Sequence, residues 1–289
     1  MINNYDFLIA GLRIRISSPF EFTQWHEMRS FAIPYDAETK PDAHYALNIL
    51  PKDWHISGQK VAQNPHGAVY AYHNELHYYY QWNVFSEDYF ILLKRQKDEQ
   101  SIHTIYLQEE SLHRLLPQFR LASFLAPEQM LLPHQAFLLH AAVVDWNGKG
   151  ILFTGPSGIG KSTQATLWAQ AEGAQIINGD RAIIRRHCDG IKAWGSPYAG
   201  TSGIYKNLGV PLHAIVVLSQ GAENQIKAID GIAAFRTILQ ESTTQPWSPA
   251  FMSDLSDLIL NITAEIPVYH LTCTPTADAV KILKKTLSV

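Results

Sequence analysis

Between residues 5 and 108 the apolar positions fall in short runs, FLIAGLRIRI, HYALNIL, GAVYAYHN, LHYYYQW, YFILLKR and IHTIYLQ, with turn-forming residues between them. Alternation of apolar and polar residues, with enrichment in aromatic and β-branched types, predicts β-strands. The aromatic run Tyr78, Tyr79, Tyr80 and Trp82 reads either as a recognition face or as the cross-strand pairs of an antiparallel sheet, the commoner role of such rows. The pattern then changes. Residues 111–124 predict a helix, and the region of Pro127 and Pro133 predicts a connection. The expected organisation is an α/β protein with a β-rich substrate or partner domain over residues 1–128 and a second domain over 129–289. That second domain alternates strands with turn dipeptides and ends in helices expected near 232–241, 249–261 and 276–287.

Two dipeptides set the expected pairing. Asn147-Gly148 is a strong two-residue hairpin signal between FLLHAAVVDW and KGILFTG. If Trp146 faces Lys149, Val143 faces Leu152 and His140 faces Gly155. Asp189-Gly190 predicts a second hairpin that brings Tyr198 or Ala199 opposite Arg181 or Asp180.

Composition narrows the classes. The chain has 289 residues, 46% of them hydrophobic and 17% charged, enough for a buried core in one large or two ordinary domains. A net charge of -3 provides no global basic field, which argues against a nucleic-acid partner. Two cysteines, Cys188 and Cys273, exclude a disulfide scaffold and a four-cysteine zinc site, so a reducing cytoplasmic location is expected. The start, MINNYDFLIAGLRIRISSPF, does not read as a signal peptide, and no apolar run approaches the roughly 20 residues of a membrane span. No membrane partner is therefore expected.

One motif carries chemistry. Gly155, Pro156, Ser157, Gly158, Ile159, Gly160, Lys161 and Ser162 fit G-x-x-x-x-G-K-[ST]. The flanks fit as well: GILF reads as a strand, and KSTQATLWAQAEG as a helix closed by Gly173. In such a loop, backbone N–H groups turn inward around phosphate oxygens, and the following helix presents its free N–H groups and positive dipole end to the same charge. Lys161 is then expected to reach the β- and γ-phosphates, the Ser162 hydroxyl to ligate Mg²⁺, and Thr163 to lie in the same first turn.

Around this motif the candidates are less specific. His140 lies beside the loop in the expected register and reads either as a hydrogen-bonded core histidine or as a phosphate contact or catalyst. Asn178-Gly179-Asp180-Arg181 interrupts the next β-run where a second carboxylate of a nucleotide site belongs, making Asp180 the candidate metal or acceptor-side group. The segment GSPYAGTSGIYKN, residues 195–207, reads either as a loop over the nucleotide or acceptor, with Lys206 available for phosphate charge, or as a structural loop. An antiparallel neighbour for the phosphate-loop strand also departs from the doubly wound nucleotide folds, in which that strand has parallel neighbours.

HAAVVDWNGKGILFTGPSGIGKST followed by INGDR resembles the HPr kinase/phosphorylase family and the wider phosphoenolpyruvate-carboxykinase-like phosphate-loop fold. The resemblance covers about residues 140–206. It implies a P-loop kinase domain with a mixed sheet and antiparallel hairpins, and ATP-dependent phosphorylation of a hydroxyl, serine first, on a peptide, protein or small molecule. By this resemblance Gly155 to Ser162 hold phosphates and Mg²⁺, His140 lies near the transferring phosphate and Asp180 supplies the acidic group; with Thr163, Arg181 and Lys206 as further expected phosphate contacts, Asp180, His140 and Lys161 are the expected catalytic set. Two adjacent aspartates usually precede the arginine in that family, whereas here Gly179 stands before Asp180. Either Asp180 combines the metal and base roles, His140 serves as base, or the chain binds nucleotide as a non-catalytic sensor or scaffold. The sequence leaves open the acceptor, a reverse phosphorylase reaction and the oligomeric state, a homo-oligomer included.

Overall fold

The structure, a computed structural model, describes residues 2–21, 28–53, 55, 58–64, 67–72, 75–84, 87–96, 102–107, 109, 125–198 and 200–287. The chain divides into two compact units, residues 1–130 and 131–289.

The first unit is built on a nine-stranded sheet of β1 (Asn3–Ile9), β2 (Leu12–Ser18), β3 (Ala32–Ile33), β4 (Ala43–Ile49), β5 (Gln59–Asn64), β6 (Gly67–Tyr72), β7 (Glu75–Val84), β8 (Glu87–Gln96) and β9 (Ile102–Leu107). Their spatial order is β3-β1-β2-β4-β9-β8-β7-β6-β5. The run FLIAGLRIRI is two strands, not one, because the chain turns at Ala10-Gly11 and Ile9 pairs with Leu12. The sheet is not wholly antiparallel either: β4 runs parallel to both β2 and β9. The strand β5, with the polar sequence QKVAQN, has no apolar alternation to announce it. The tyrosines at 78–80 and Trp82 lie on β7, and their side chains fall outside the described residues, as does the helix expected over 111–124.

The second unit is mixed α/β. The short helix α1 (Pro127–Leu131) spans the boundary in sequence, and after it come β10 (Ala136–Trp146), β11 (Lys149–Thr154), α2 (Lys161–Glu172), β12 (Gln175–Asn178), β13 (Arg181–His187), β14 (Gly190–Trp194) and β15 (Gly209–Gln220). Then follow β16 (Gln225–Ile229), α3 (Gly231–Glu241), α4 (Pro249–Glu265), β17 (Val268–Cys273) and α5 (Ala277–Leu287). The Asn147-Gly148 turn, with φ of 52° and 81°, sets the expected register, with Trp146 opposite Lys149 and Val143 opposite Leu152. β11 is thus antiparallel to β10 on one side and parallel to β15 on the other.

The second hairpin differs from its expected register by two residues. His187 pairs with Gly190, so Cys188 and Asp189 are the central turn residues. Neither of these has a positive φ, and Gly190 follows at 124°; the glycine is the first residue of β14 rather than the second central residue of the turn. Consequently Ser196, not Tyr198, meets Arg181, with the Ser196 hydroxyl donating to the Arg181 carbonyl at 2.5 Å. Ala199 lies outside the described residues.

Alternation along the strands separates two apolar layers. Leu139, Ala141, Val143 and Leu152 face one way, toward residues of α3 and α4 such as Ile238, Leu258 and Ile259. Ala142, Val144, Ile151 and Phe153 face the other, toward Trp168 of α2 and Leu283 of α5. Among the described residues no helix is long and apolar enough to cross a membrane.

Candidate functional site

The glycine-rich segment joins the end of β11 to the start of α2. Gly155, Gly158 and Gly160 have φ of 139°, 78° and 113°, a run of left-handed backbone that side chains rarely adopt. A Cβ at Gly158 or Gly160 would meet no atom within 4 Å, so the loop borders open space. Pro156, Ser157, Ser162 and Thr163 are exposed, Ile159 and Gly160 are half-buried, and the Ile159 amide donates to Pro156 O at 3.2 Å. The first helical N–H with a partner inside the helix is that of Gln164, bonded to Gly160 O at 2.9 Å. The amides before it belong to the orphan donors of a helix start. Lys161 is buried and folds back, its Nζ donating to Gly155 O at 2.7 Å and Pro156 O at 3.0 Å. Burial lowers the pKa of this ammonium, while the nearby carboxylates of Glu241 and Asp180 oppose that shift.

The remaining candidates meet where β10 changes partners. Residues 136–140 of β10 pair with β13, and residues 143–145 pair with β12. The chain crossing from β12 to β13, residues 178–181, must therefore pass opposite His140, and Ala141 N donates to Asp180 O at 2.8 Å. His140 Nε2 lies 3.5 Å from Asp180 Oδ1, while its Nδ1 lies 3.3 Å from Glu241 Oε2. The hydrogen bond from His140 is the main reason the Asp180 carboxyl is held below the usual aspartate range, against the opposing effect of burial; Arg181 and Lys161 add to the lowering. The Arg181 side chain reaches Thr243 Oγ1 at 3.1 Å and stands 3.9 Å from Asp180. Ser162 Oγ donates to Gly179 O at 3.1 Å, which ties the start of α2 to the Asp180 turn.

Sequence reasoning missed two residues of this cluster. Asn178, fully buried, accepts the amides of Asp180 and Arg181 at 2.9 and 2.8 Å and donates to Ser196 O and Tyr198 O at 3.0 and 3.3 Å, shaping the turn on which Asp180 sits. Glu241 ends α3, and the next residues lie along β10, with Thr243 N donating to Leu138 O at 2.9 Å. A carboxylate in the last turn of a helix is disfavoured by the dipole. This misplaced charge was the one available signal for a cationic or hydrogen-bonding partner elsewhere. Lys206 is fixed through its backbone, which donates to Ile177 O at 3.0 Å. Among the described residues no bond carries its ammonium to the glycine loop. Nor, among those residues, do three His, Cys, Asp or Glu side chains gather to hold a metal ion by themselves.

Fold and site together define a mixed α/β protein with a glycine-rich loop between strand and helix, beside a histidine held between two carboxylates. The family model described as SynChlorMet cassette protein ScmC matches residues 129–280, and the chain belongs to that family. Among solved structures, that of the HPr(Ser) kinase/phosphatase from Coxiella burnetii is similar at 14% identity and a TM-score of 0.30, over 52% of this chain and 87% of that one. No curated protein sequence matches the chain.

Proposed function

We propose that the chain is an ATP-dependent kinase that transfers the γ-phosphate to a hydroxyl, serine first, of a peptide, protein or small molecule in the cytoplasm. The observation that carries this reading is the buried Lys161, folded over the carbonyls of Gly155 and Pro156 and within electrostatic reach of both Asp180 and Glu241. An ammonium at the mouth of a glycine loop, with helix-start amides beside it, suits a chain of phosphates. The motif match over Gly155 to Ser162 and the sequence resemblance to the HPr kinases point the same way.

In this reading Lys161 exchanges its loop carbonyls for phosphate oxygens, and the loop amides and Arg181 add to the neutralisation of charge. Ser162 and Asp180 offer hard oxygen ligands that fit Mg²⁺, shared with phosphate oxygens in place of a closed protein cage. When bound, Mg²⁺ supplies charge neutralisation on the transferring group. Asp180, kept ionised by the His140 contact, accepts the proton of the acceptor hydroxyl, and Glu241 holds His140 in place through Nδ1.

A melting experiment with and without Mg-ATP tests the site without knowledge of the acceptor. Nucleotide at 100 times its Kd is expected to stabilise the parent by about 2.7 kcal/mol, and Lys161→Ala to lose that shift. An equal shift in Lys161→Ala would sink the proposal. A second reading, a nucleotide sensor without transfer, is favoured by one observation: the space where a side chain at 179 would begin is filled by Ser202. Asp180→Asn separates the two. Turnover lost with ATP binding kept supports the kinase, whereas a parent that binds ATP and phosphorylates no acceptor supports the sensor.

A further inference from the structure

Residues 200–206 lie along residues 177–180. A Cβ at Gly200 would stand 2.5 Å from Asp180 Cγ and 2.8 Å from its Oδ2, so the backbone of this segment presses on the carboxylate. Two residues further on, a Cβ at Gly179 would overlap Ser202 Oγ and stand 2.5 Å from Ser202 Cβ. The Ser202 hydroxymethyl group thus fills the place of the side chain that position 179 lacks. The arrangement is built into the backbone: Gly179 N donates to Ile204 O at 3.2 Å, Lys206 N donates to Ile177 O at 3.0 Å, and Asn178 bridges to Tyr205. Ser202 Oγ also accepts the Ile204 amide at 3.2 Å, which fixes its rotamer toward Gly179. On its other side Gly179 accepts the Ser162 hydroxyl of the glycine-loop helix. One glycine, next in sequence to Asp180, therefore stands between the Ser162 hydroxyl of the glycine-loop helix and the Ser202 hydroxyl.

We propose that Ser202 is a phosphoryl acceptor within the chain itself, modified in cis by ATP bound at residues 155–162; this rests on the nucleotide reading above. In the transfer a bond forms between Ser202 Oγ and the γ-phosphorus as the bond from that phosphorus to the β–γ bridging oxygen breaks. ADP leaves with the electron pair, and the hydroxyl proton passes to the Asp180 carboxylate and from there to water. Gly179 is central to the arrangement, since a side chain at that position would displace the acceptor. The product adds close to two negative charges beside Asp180, so the modified segment is expected to lift from the carboxylate.

The test incubates the full chain with Mg-ATP labelled at the γ-phosphate and no added acceptor, then maps the phosphoryl group by peptide mass while melting shifts report nucleotide binding. One phosphoryl group per chain on Ser202 is expected, at a rate independent of protein concentration and absent in Ser202→Ala and Lys161→Ala. Ser202→Ala removes only the hydroxyl and is expected to keep the Mg-ATP melting shift. A parent that shows the shift but takes no label, or a label that persists in Ser202→Ala or rises in rate with concentration, overturns the assignment while leaving the nucleotide reading in place. No shift and no label overturn the nucleotide reading itself.

Discussion

Position 179 decides which side chain stands beside Asp180. A carboxylate there and Ser202 in its present place require the same volume. Gly179→Asp alone is therefore expected to overpack the site and cost about 1–3 kcal/mol, while adding Ser202→Gly recovers most of it. Thermal melts of the two single variants and the double variant measure this coupling; Gly179→Asp as stable as the parent would contradict it. Much of the site at this scale was legible. The glycine loop, Lys161 and Ser162 follow from a contiguous pattern, and counting back along a hairpin leads toward His140, although the pairing ends at Ala141 with Thr154 and His140 pairs with Arg181 of β13 instead of Gly155. Asn178, Ser202 and Glu241 were not legible, because each acts through partners that only the fold brings near. Glu241 meets a histidine about a hundred residues earlier in the chain.

At the scale of elements, legibility depended on how tightly a local signal restricts geometry. Asn147-Gly148 admits one short turn with both central residues left-handed, and the pairing of β10 with β11 follows from it. Asp189-Gly190 admits two, and the chain takes the one in which glycine follows the turn and begins the next strand. Parallel contacts of β4 with β2 and β9 have no local signature, because their partners are distant in sequence. The same holds for residues 200–206, whose place is set by β12. Asn178 anchors that arrangement with four bonds from a fully buried amide. Asn178→Ala leaves buried backbone groups unpaired and is expected to cost about 3 kcal/mol. Faster amide exchange is expected at Asp180, Arg181 and residues 200–206, with the β10–β11 hairpin unaffected. Unchanged protection at 200–206 would mean that the backbone bonds alone hold this segment.

For the whole molecule, the question is which part carries the chemistry. Among the described residues, both apolar layers of the second unit draw on residues between Leu132 and Leu287, and they enclose the central strands from two sides. Every candidate site residue, from His140 to Glu241, lies within the same span. A segment with its own two-sided core meets the physical requirement for folding alone. The fragment 131–289 is therefore expected to melt cooperatively and to keep the Mg-ATP shift and its loss in Lys161→Ala. A fragment that shows no cooperative transition would mean that this core is insufficient without residues 1–130. If the fragment binds nucleotide and labels Ser202 as the full chain does, yet fails on an external acceptor that the full chain phosphorylates, recognition of that acceptor belongs to the first unit. Equal transfer by both places recognition on the second unit and leaves the nine-stranded sheet with another role.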